Sequence, residues 1–151
     1  MRKTIEVLVI FVLMLTISGC ATSMMLSLKK EPQHFIPSGD PNKGYIYVYR
    51  ESNLLGCVRG IYVTANGKRI GGLNNGTYFV YEADPGDVFI SVENWLGDNP
   101  SRKILVEAGK KYYLKGSLTF GSMDATPYIE RVNNEDGEKA IELLTYATLK
   151  E

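Results

Sequence analysis

The side chains of this sequence best suited to chemistry are its single histidine, its two cysteines and three of its glutamates. Glu82, Glu93 and Glu107 are candidates for the paired carboxylates of a glycan hydrolase, because such acids can converge from distant strands. A solvated acid near a strand end is the ordinary alternative for each. Nucleophilic catalysis would require His34 to meet Cys57, but His34 lies in a proline-containing segment before the strand-rich region. We therefore expect that the protein is not an enzyme.

Metal and cofactor sites also lack a sufficient set of ligands. Zinc needs three or four ligands. The single histidine and Cys57 are too few, and the other cysteine, Cys20, is assigned to a modification described below. The acidic run at 133–136 lacks the alternating ligands of a calcium loop and is better suited to capping a helix. The glycines at 71, 72 and 76 do not form a phosphate-binding loop, because no helix with Lys-Ser/Thr follows them. We expect neither a metal nor a cofactor.

Cys20 stands in the one segment whose spacing indicates a specific modification. Arg2 and Lys3 open the chain, and the apolar run 7–17 is about 16 Å long as a helix, short of the ~30 Å core of a bilayer. This is the pattern of a secretory signal peptide. Ile17-Ser18-Gly19-Cys20 follows at once and resembles the bacterial lipobox. We expect cleavage between Gly19 and Cys20 and attachment of palmitate-type acyl chains to Cys20, the alternative being an uncleaved anchor helix.

The anchor defines the expected organisation and location of the protein. Residues 1–19 would be the signal peptide, 20–43 the lipidated N-terminus with a tether, and 44–151 a folded domain. Two or more long acyl chains give a lasting membrane anchor, whereas a single myristoyl chain gives a marginal one. Ala21 follows the cysteine where an aspartate would retain the protein in the inner membrane. We therefore expect the outer membrane, facing the periplasm.

Composition excludes several classes of partner. Residues 1–19 contain two of the 17 basic and one of the 17 acidic side chains, so the rest of the chain carries 15 and 16. This balance predicts no nucleic-acid binding and no polybasic membrane patch. With Cys20 acylated, Cys57 has no partner within the chain. We expect Cys57 to be a buried apolar residue, since Val58 and Ile61 have strand character, with an intermolecular disulfide as the alternative.

Alternating apolar residues separated by turn signals recur from Gly44 onward and predict strands. Asn66-Gly67 is a preferred type I′ hairpin pair. Asp84-Pro85-Gly86 predicts a second tight turn, because proline fixes φ and glycine permits a positive φ. The expected strands cover residues 45–49, 60–65, 68–73, 77–82, 88–92, 103–107, 111–115 and 126–132.

The C-terminal segment has a helical period instead. Asn133 or Asn134 can cap a helix, and the acidic residues that follow favour its positive N-terminus. Apolar residues then recur at helical spacing on one face, namely Ala140, Leu143, Leu144 and Ala147. We expect a mainly β sandwich of seven or eight strands, with a C-terminal α-helix packed on its side or end.

Tyrosine is the one unusual component, with ten residues. Tyr45, Tyr47 and Tyr49 share a strand face opposite branched aliphatic residues, which are natural core. The tyrosines could form an exposed aromatic face that binds glycan or protein, together with Trp95 in a loop. The alternative, which we favour, is that the helix or a neighbouring segment covers them. For Trp95 a core role is equally plausible.

Several of these motifs together resemble one group of bacterial lipoproteins. The segments 63–68, 75–78, 84–87 and 108–113 are similar to the hairpin and turn motifs of lipoproteins that carry the domain of unknown function DUF2846. The resemblance covers Gly44 to Leu118 and the lipobox. Asn66 replaces the usual aspartate, and Asp87 stands where a basic residue or histidine is common. The resemblance implies a small immunoglobulin- or transthyretin-like antiparallel β-sandwich in the envelope, with no established activity.

The sequence thus predicts a membrane-anchored envelope lipoprotein that binds or scaffolds an unidentified component without catalysis. Its expected partners are the membrane, through the acyl chains on Cys20, and an envelope protein or glycan. The alternative function is an envelope hydrolase acting on glycan or peptide.

Overall fold

The computed structural model describes residues 38–54, 56–94, 97, 99–120 and 125–147. The predicted signal peptide and the lipobox-like segment, including Gly19 and Cys20, lie outside these ranges, as do His34 and Trp95. Within them the chain forms nine strands and one helix: β1 Gly44–Arg50, β2 Ile61–Ala65, β3 Lys68–Leu73, β4 Thr77–Ala83, β5 Gly86–Val92, β6 Ser101–Val106, β7 Lys111–Phe120, β8 Ala125–Val132, α1 Asn134–Glu142 and β9 Thr145–Tyr146.

The strands form two sheets that pack face to face. A five-stranded sheet has the order β8-β7-β1-β4-β9, and a four-stranded sheet has the order β3-β2-β5-β6. Pairing is antiparallel except between β1 and β7 and between β4 and β9, which are parallel. Inward-facing residues of both sheets make one apolar core, with Ile46, Val63, Ile90 and Leu114 almost fully buried. The prediction of a mainly β sandwich with a C-terminal helix is confirmed.

Strand direction gives the sandwich two distinct ends. At the end that we call the near end, Gly44 pairs with Ala83 and lies against Val106 of the other sheet. Residues 38–43 join the sandwich here. At the opposite end, the far end, Arg50 pairs with Thr77. The segment 51–60 then connects the two sheets across the far end.

The two predicted tight turns have the backbone geometry that their residues favour. Asn66 and Gly67 both have positive φ, at 49° and 80°, as a type I′ hairpin requires. Gly86, after Asp84-Pro85, has φ of 134°, which a residue with a side chain rarely adopts. Asn66 also accepts a hydrogen bond from the backbone N–H of Phe89 at 2.9 Å, so this turn is tied to β5.

Helix α1 begins as predicted but ends earlier. Asn133 is the N-cap, and its side-chain oxygen accepts a hydrogen bond from the Asp136 N–H at 2.9 Å. The predicted apolar helical face is wrong beyond Glu142, because Leu143 is 89% exposed. The chain leaves the helix there. The Thr145 backbone N–H donates to the Gly76 carbonyl, and the segment 145–146 extends the five-stranded sheet as β9. Within the described part of the chain, no helix is long and apolar enough to cross a bilayer.

Candidate functional site

The three candidate acids each bind a different partner. Glu82 accepts hydrogen bonds from the backbone N–H and the hydroxyl of Ser38, at 3.0 and 2.8 Å. Glu93 forms a two-point pair with Arg69, at 3.0 and 2.5 Å. The carboxylate of Glu107 lies 2.8 Å from the Lys110 ammonium.

The fold also separates these acids. Glu107 follows β6 at the near end, whereas Glu93 follows β5 at the far end, and β5 pairs with β6 along its length. Glu107 lies opposite position 85 in this register, eight residues from Glu93, so at about 3.3 Å per residue the two backbone positions are roughly 26 Å apart. The carboxyl groups of glycosidases are ~5–10 Å apart. Glu82 lies on the other sheet. Glu93 and Glu107 are therefore too far apart to act as a catalytic pair, and the carboxylate of Glu82 is engaged by Ser38.

Tyr45, Tyr47 and Tyr49 do not form the exposed aromatic binding face that the sequence allowed, because all three side chains are buried. They form a second apolar cluster with Tyr78, Tyr113 and Leu144, against which Ala140 and Ile141 pack. Tyr47 stacks on Tyr113 with ring centroids 4.9 Å apart. The helix and the segment after it thus cover the outer face of the five-stranded sheet, which is the alternative favoured by the sequence. Trp95 lies outside the described residues.

Burial changes the acidity of this aromatic layer. Desolvation raises the pKa of the Tyr113 hydroxyl, and the neighbouring Glu138 carboxylate raises it further. Desolvation likewise raises the pKa of Tyr47. Both hydroxyls therefore remain protonated at neutral pH, and the layer is a packed, neutral part of the fold.

Cys57 differs from its predicted environment. It is a free thiol in the turn between β1 and β2, and it is half-buried rather than buried. The prediction from its neighbours failed because Val58 is not in a strand: its side chain is 81% exposed in the same turn.

A cleft opens at the far end, beside the last residues of β1 and the second half of β7. Its volume is about 250 Å³. We call it the far-end cleft; its main side chains are Arg50, Glu51, Lys115, Ser117, Phe120 and Tyr128. Ser117 and Tyr128 are directly paired across β7 and β8, so their side chains lie on the same face of the sheet. The cleft is thus built on two paired strands and on the end of a third.

Arg50 fixes one wall of this cleft. Its side chain is only 4% exposed, and among the described residues no carboxylate pairs with it. Instead, Nη2 donates to the Gly56 carbonyl at 2.8 Å, and Nη1 donates to the Arg59 carbonyl. Burial lowers the pKa of the guanidinium, which stays charged at neutral pH because the starting value is so high. Arg50 therefore holds the segment 51–60 on the sandwich.

Lys115 and Glu51 supply the accessible charges of the far-end cleft. Lys115 Nζ lies 2.8 Å from Glu51 Oε2, and both side chains are partly exposed. The hydrogen bond to Glu51 raises the pKa of Lys115, so the ammonium stays charged at neutral pH. The pair presents an ammonium and a carboxylate side by side with no net charge.

A second cavity of similar size, about 250 Å³, lies where the segment 51–60 leads into β2. Tyr62, Glu93 and Pro127 line it, together with Arg59 and Gly60. The Arg69 guanidinium lies 4.2 Å from the centre of the Tyr62 ring and also binds Glu93, which fixes the orientation of the ring.

Exposed apolar side chains are concentrated near the same end. Leu54 and Val58 lie in the segment 51–60, and Phe120 ends β7 beside Gly56. Tyr62 is the second residue of β2 and lines the second cavity, and Leu143 follows α1 before Thr145 pairs with Thr77. Phe89 and Leu105, on the outer face of the four-stranded sheet, are the other exposed large apolar residues in the described part of the chain.

Comparison with known proteins places the chain in a family. The family described as "Protein of unknown function (DUF2846)" matches residues 40–127, more than half of the chain. The chain belongs to this family. It is also similar to an uncharacterized protein of Haemophilus influenzae (strain ATCC 51907 / DSM 11121 / KW20 / Rd), at 29% identity over 136 residues, covering 88% of this chain and 79% of the other.

The DUF2846 match covers β1 to β7 and the start of β8, so it includes every main residue of the far-end cleft except Tyr128. Helix α1, which covers the tyrosines, lies beyond it. Sequence reasoning did not single out Arg50 or Lys115, because a basic residue at a strand end or on an outer face is usually solvated. One usable signal was the strand alternation, which places Lys115 on the same face as Tyr113.

Proposed function

We propose that this DUF2846 protein is a lipid-anchored, non-catalytic module of the bacterial envelope that binds another envelope component through the far end of its sandwich. The observation that carries the proposal is that the N-terminal entry of the chain and the cavities lie at opposite ends of the sandwich. The chain joins the sandwich at the near end, where Ser38 is held by Glu82. Both cavities and most of the exposed large apolar side chains of the described residues lie at the far end.

The anchored N-terminal segment would join the domain at the near end, which leaves the far end free to meet a partner. Contiguous exposed apolar groups with a polar surround are typical of interaction sites. Leu54, Val58 and Phe120 supply the apolar part of such a surface, and the Lys115–Glu51 pair supplies a polar border. The separate, individually paired acids give no support to the alternative function of an envelope hydrolase.

Site-specific photocrosslinking in cells tests this proposal. A benzophenone amino acid, which inserts into C–H bonds of protein and glycan alike, replaces Val58 at the far end in one variant. In the matched control it replaces Leu105, whose side chain is also exposed, at 63%. Leu105 lies on the outer face of the four-stranded sheet, in the part of β6 that is at the near end of the sandwich.

We expect discrete crosslinked species from the Val58 variant and none from the Leu105 variant. Adducts from Leu105 but not from Val58 would place the binding surface on the four-stranded sheet and refute the proposal. The absence of adducts from both variants would also count against it.

A further inference from the structure

The far-end cleft differs from the centre of a typical protein-docking site in its chemistry. Such sites have an apolar centre and a polar rim. Here the order is reversed: Lys115, Glu51 and Ser117 line the cleft, and Leu118 and Phe120 supply its apolar part. The volume of about 250 Å³ is below the ~300–1,000 Å³ of pockets for whole drug-sized ligands. A cleft of this size accepts one small ring of a longer ligand.

The charges of the cleft favour a neutral ligand. The two hydrogen bonds of Arg50 to the Gly56 and Arg59 carbonyls direct its guanidinium towards the segment 51–60. Among the side chains that line the cleft, the accessible charges are then those of Lys115 and Glu51, which lie 2.8 Å apart and compensate each other. An anion at Lys115 would meet the Glu51 carboxylate, and a cation at Glu51 would meet the Lys115 ammonium.

A ring with neighbouring hydroxyl groups fits this pair better than either ion. One hydroxyl can donate to the Glu51 carboxylate while the next accepts from the Lys115 ammonium, and hydrogen bonds to charged groups are the strong ones. The hydroxyls of Ser117 and Tyr128, on the same sheet face, can both donate and accept. The half-exposed ring of Phe120 lies at the end of β7, five residues beyond Lys115 and on the opposite strand face, so it lines a separate part of the cleft.

We infer that the far-end cleft is a glycan subsite, which takes one uncharged sugar ring of an envelope polysaccharide between Lys115, Glu51 and Ser117. This inference rests on the proposed function and names the class of component that the far end binds.

Nuclear magnetic resonance titration of the full-length, detergent-solubilised protein tests the inference. The probe is triacetylchitotriose, a neutral trisaccharide of N-acetylglucosamine, and acetate is the anionic probe. We expect the trisaccharide to shift the amide resonances of Lys115 and Ser117, and acetate to leave them unchanged. Glu51→Gln and Lys115→Met should each raise the Kd for the trisaccharide about tenfold or more, since each removes one charged hydrogen bond.

Lys139→Met is the matched control. Lys139 forms a similar exposed pair with Glu135, at 2.7 Å, but on α1 away from the cleft. This variant should bind the trisaccharide with an unchanged Kd. Thermal unfolding of each variant checks that the fold is retained, because the Lys115–Glu51 pair is partly exposed and the Lys139–Glu135 pair is largely exposed.

Three results would overturn the inference: no shift with the trisaccharide, shifts with acetate alone, or an equal Kd for wild type and Lys115→Met. The failure of the glycan inference remains distinguishable from failure of the proposed function. If Val58 crosslinks to an envelope protein while the trisaccharide does not bind, the far end is a binding surface but the cleft is not a glycan subsite.

Discussion

Gly137 of α1 lies directly against the ring of Tyr113, so closely that a methyl group on its Cα would overlap Tyr113 Cβ and Cγ. The absent side chain lets the helix approach the five-stranded sheet and close over the tyrosine layer. A glycine inside a helix usually destabilises it by about 1 kcal/mol relative to alanine. Here the contact with Tyr113 explains why a glycine occupies the position.

Gly137→Ala should therefore destabilise the domain although it favours the isolated helix. Overpacking of this kind costs about 1–3 kcal/mol, more than the helix propensity gains. Urea unfolding monitored by circular dichroism measures the change. Gly72→Ala is the control, because a methyl group there would meet Tyr62 only at ordinary contact distance, 3.6 Å or more. An increase in stability for Gly137→Ala would show that the helix does not pack as described.

Asn133→Ala should lower the free energy of unfolding by about 1 kcal/mol, the usual value of an N-cap. The substitution removes the side-chain oxygen that accepts from the Asp136 N–H at 2.9 Å. Asn134→Ala is the matched control, since Asn134 is already the first helical residue. Equal losses from the two substitutions, measured by urea unfolding, would contradict the assignment of the cap.

Arg50→Met should destabilise the domain by roughly 2–4 kcal/mol, because it removes two hydrogen bonds from a charged donor and leaves two carbonyls without that donor. The segment 51–60 should loosen at the same time. Hydrogen exchange should therefore speed up at the Arg59 amide, which is bonded to the Gly56 carbonyl at 3.1 Å. Arg102→Met, at an exposed arginine on β6, should change stability by less than about 0.5 kcal/mol. Comparable effects at the two arginines would contradict the structural role of Arg50.

The buried tyrosines predict a loss of stability in alkaline solution. Burial raises the pKa of Tyr113 and of Tyr47 above the usual value near 10. Above about pH 10 the tyrosines of the unfolded chain lose these protons while those of the folded chain retain them. Ionisation therefore stabilises the unfolded state relative to the folded state. The stability that the protonated tyrosines contribute is complete below about pH 10 and is lost as the pH rises towards their folded pKa values.

Urea unfolding between about pH 8 and pH 11 measures this dependence. The free energy of unfolding should fall with rising pH in the wild type and fall less steeply in Tyr113→Phe. Phe substitution at the half-exposed Tyr62 is the control, since it leaves the buried layer intact. Ionisation of Tyr47 and Tyr113 at the pH of free tyrosine, seen in an ultraviolet titration, would show that they are not buried.

Local signals accounted for most of the fold. The turn at Asn66-Gly67 and the cap at Asn133 depend on backbone preferences of a few adjacent residues, so they were predictable from the sequence. Strand alternation correctly separated Ile46 from Tyr47. It could not show what would cover the tyrosines, because burial of that face depends on how closely α1 approaches through Gly137.

The far-end cleft was not predictable in the same way. It depends on a buried Arg50 that binds carbonyls six and nine residues later in the chain, and on the meeting of Glu51 with Lys115 across 64 residues. No local preference encodes either contact. The end of α1 was mispredicted for a related reason: the pairing of Thr145 with Thr77 replaces the last helical turn.

The lipid anchor is the central claim of the account, and the intact mass of the protein purified from its native membrane tests it most directly. We predict a chain that begins at Cys20 and carries acyl groups on that residue, and the loss of these groups in Cys20→Ser. A mass that retains residues 1–19, or an unmodified Cys20 at the N-terminus, would contradict the account.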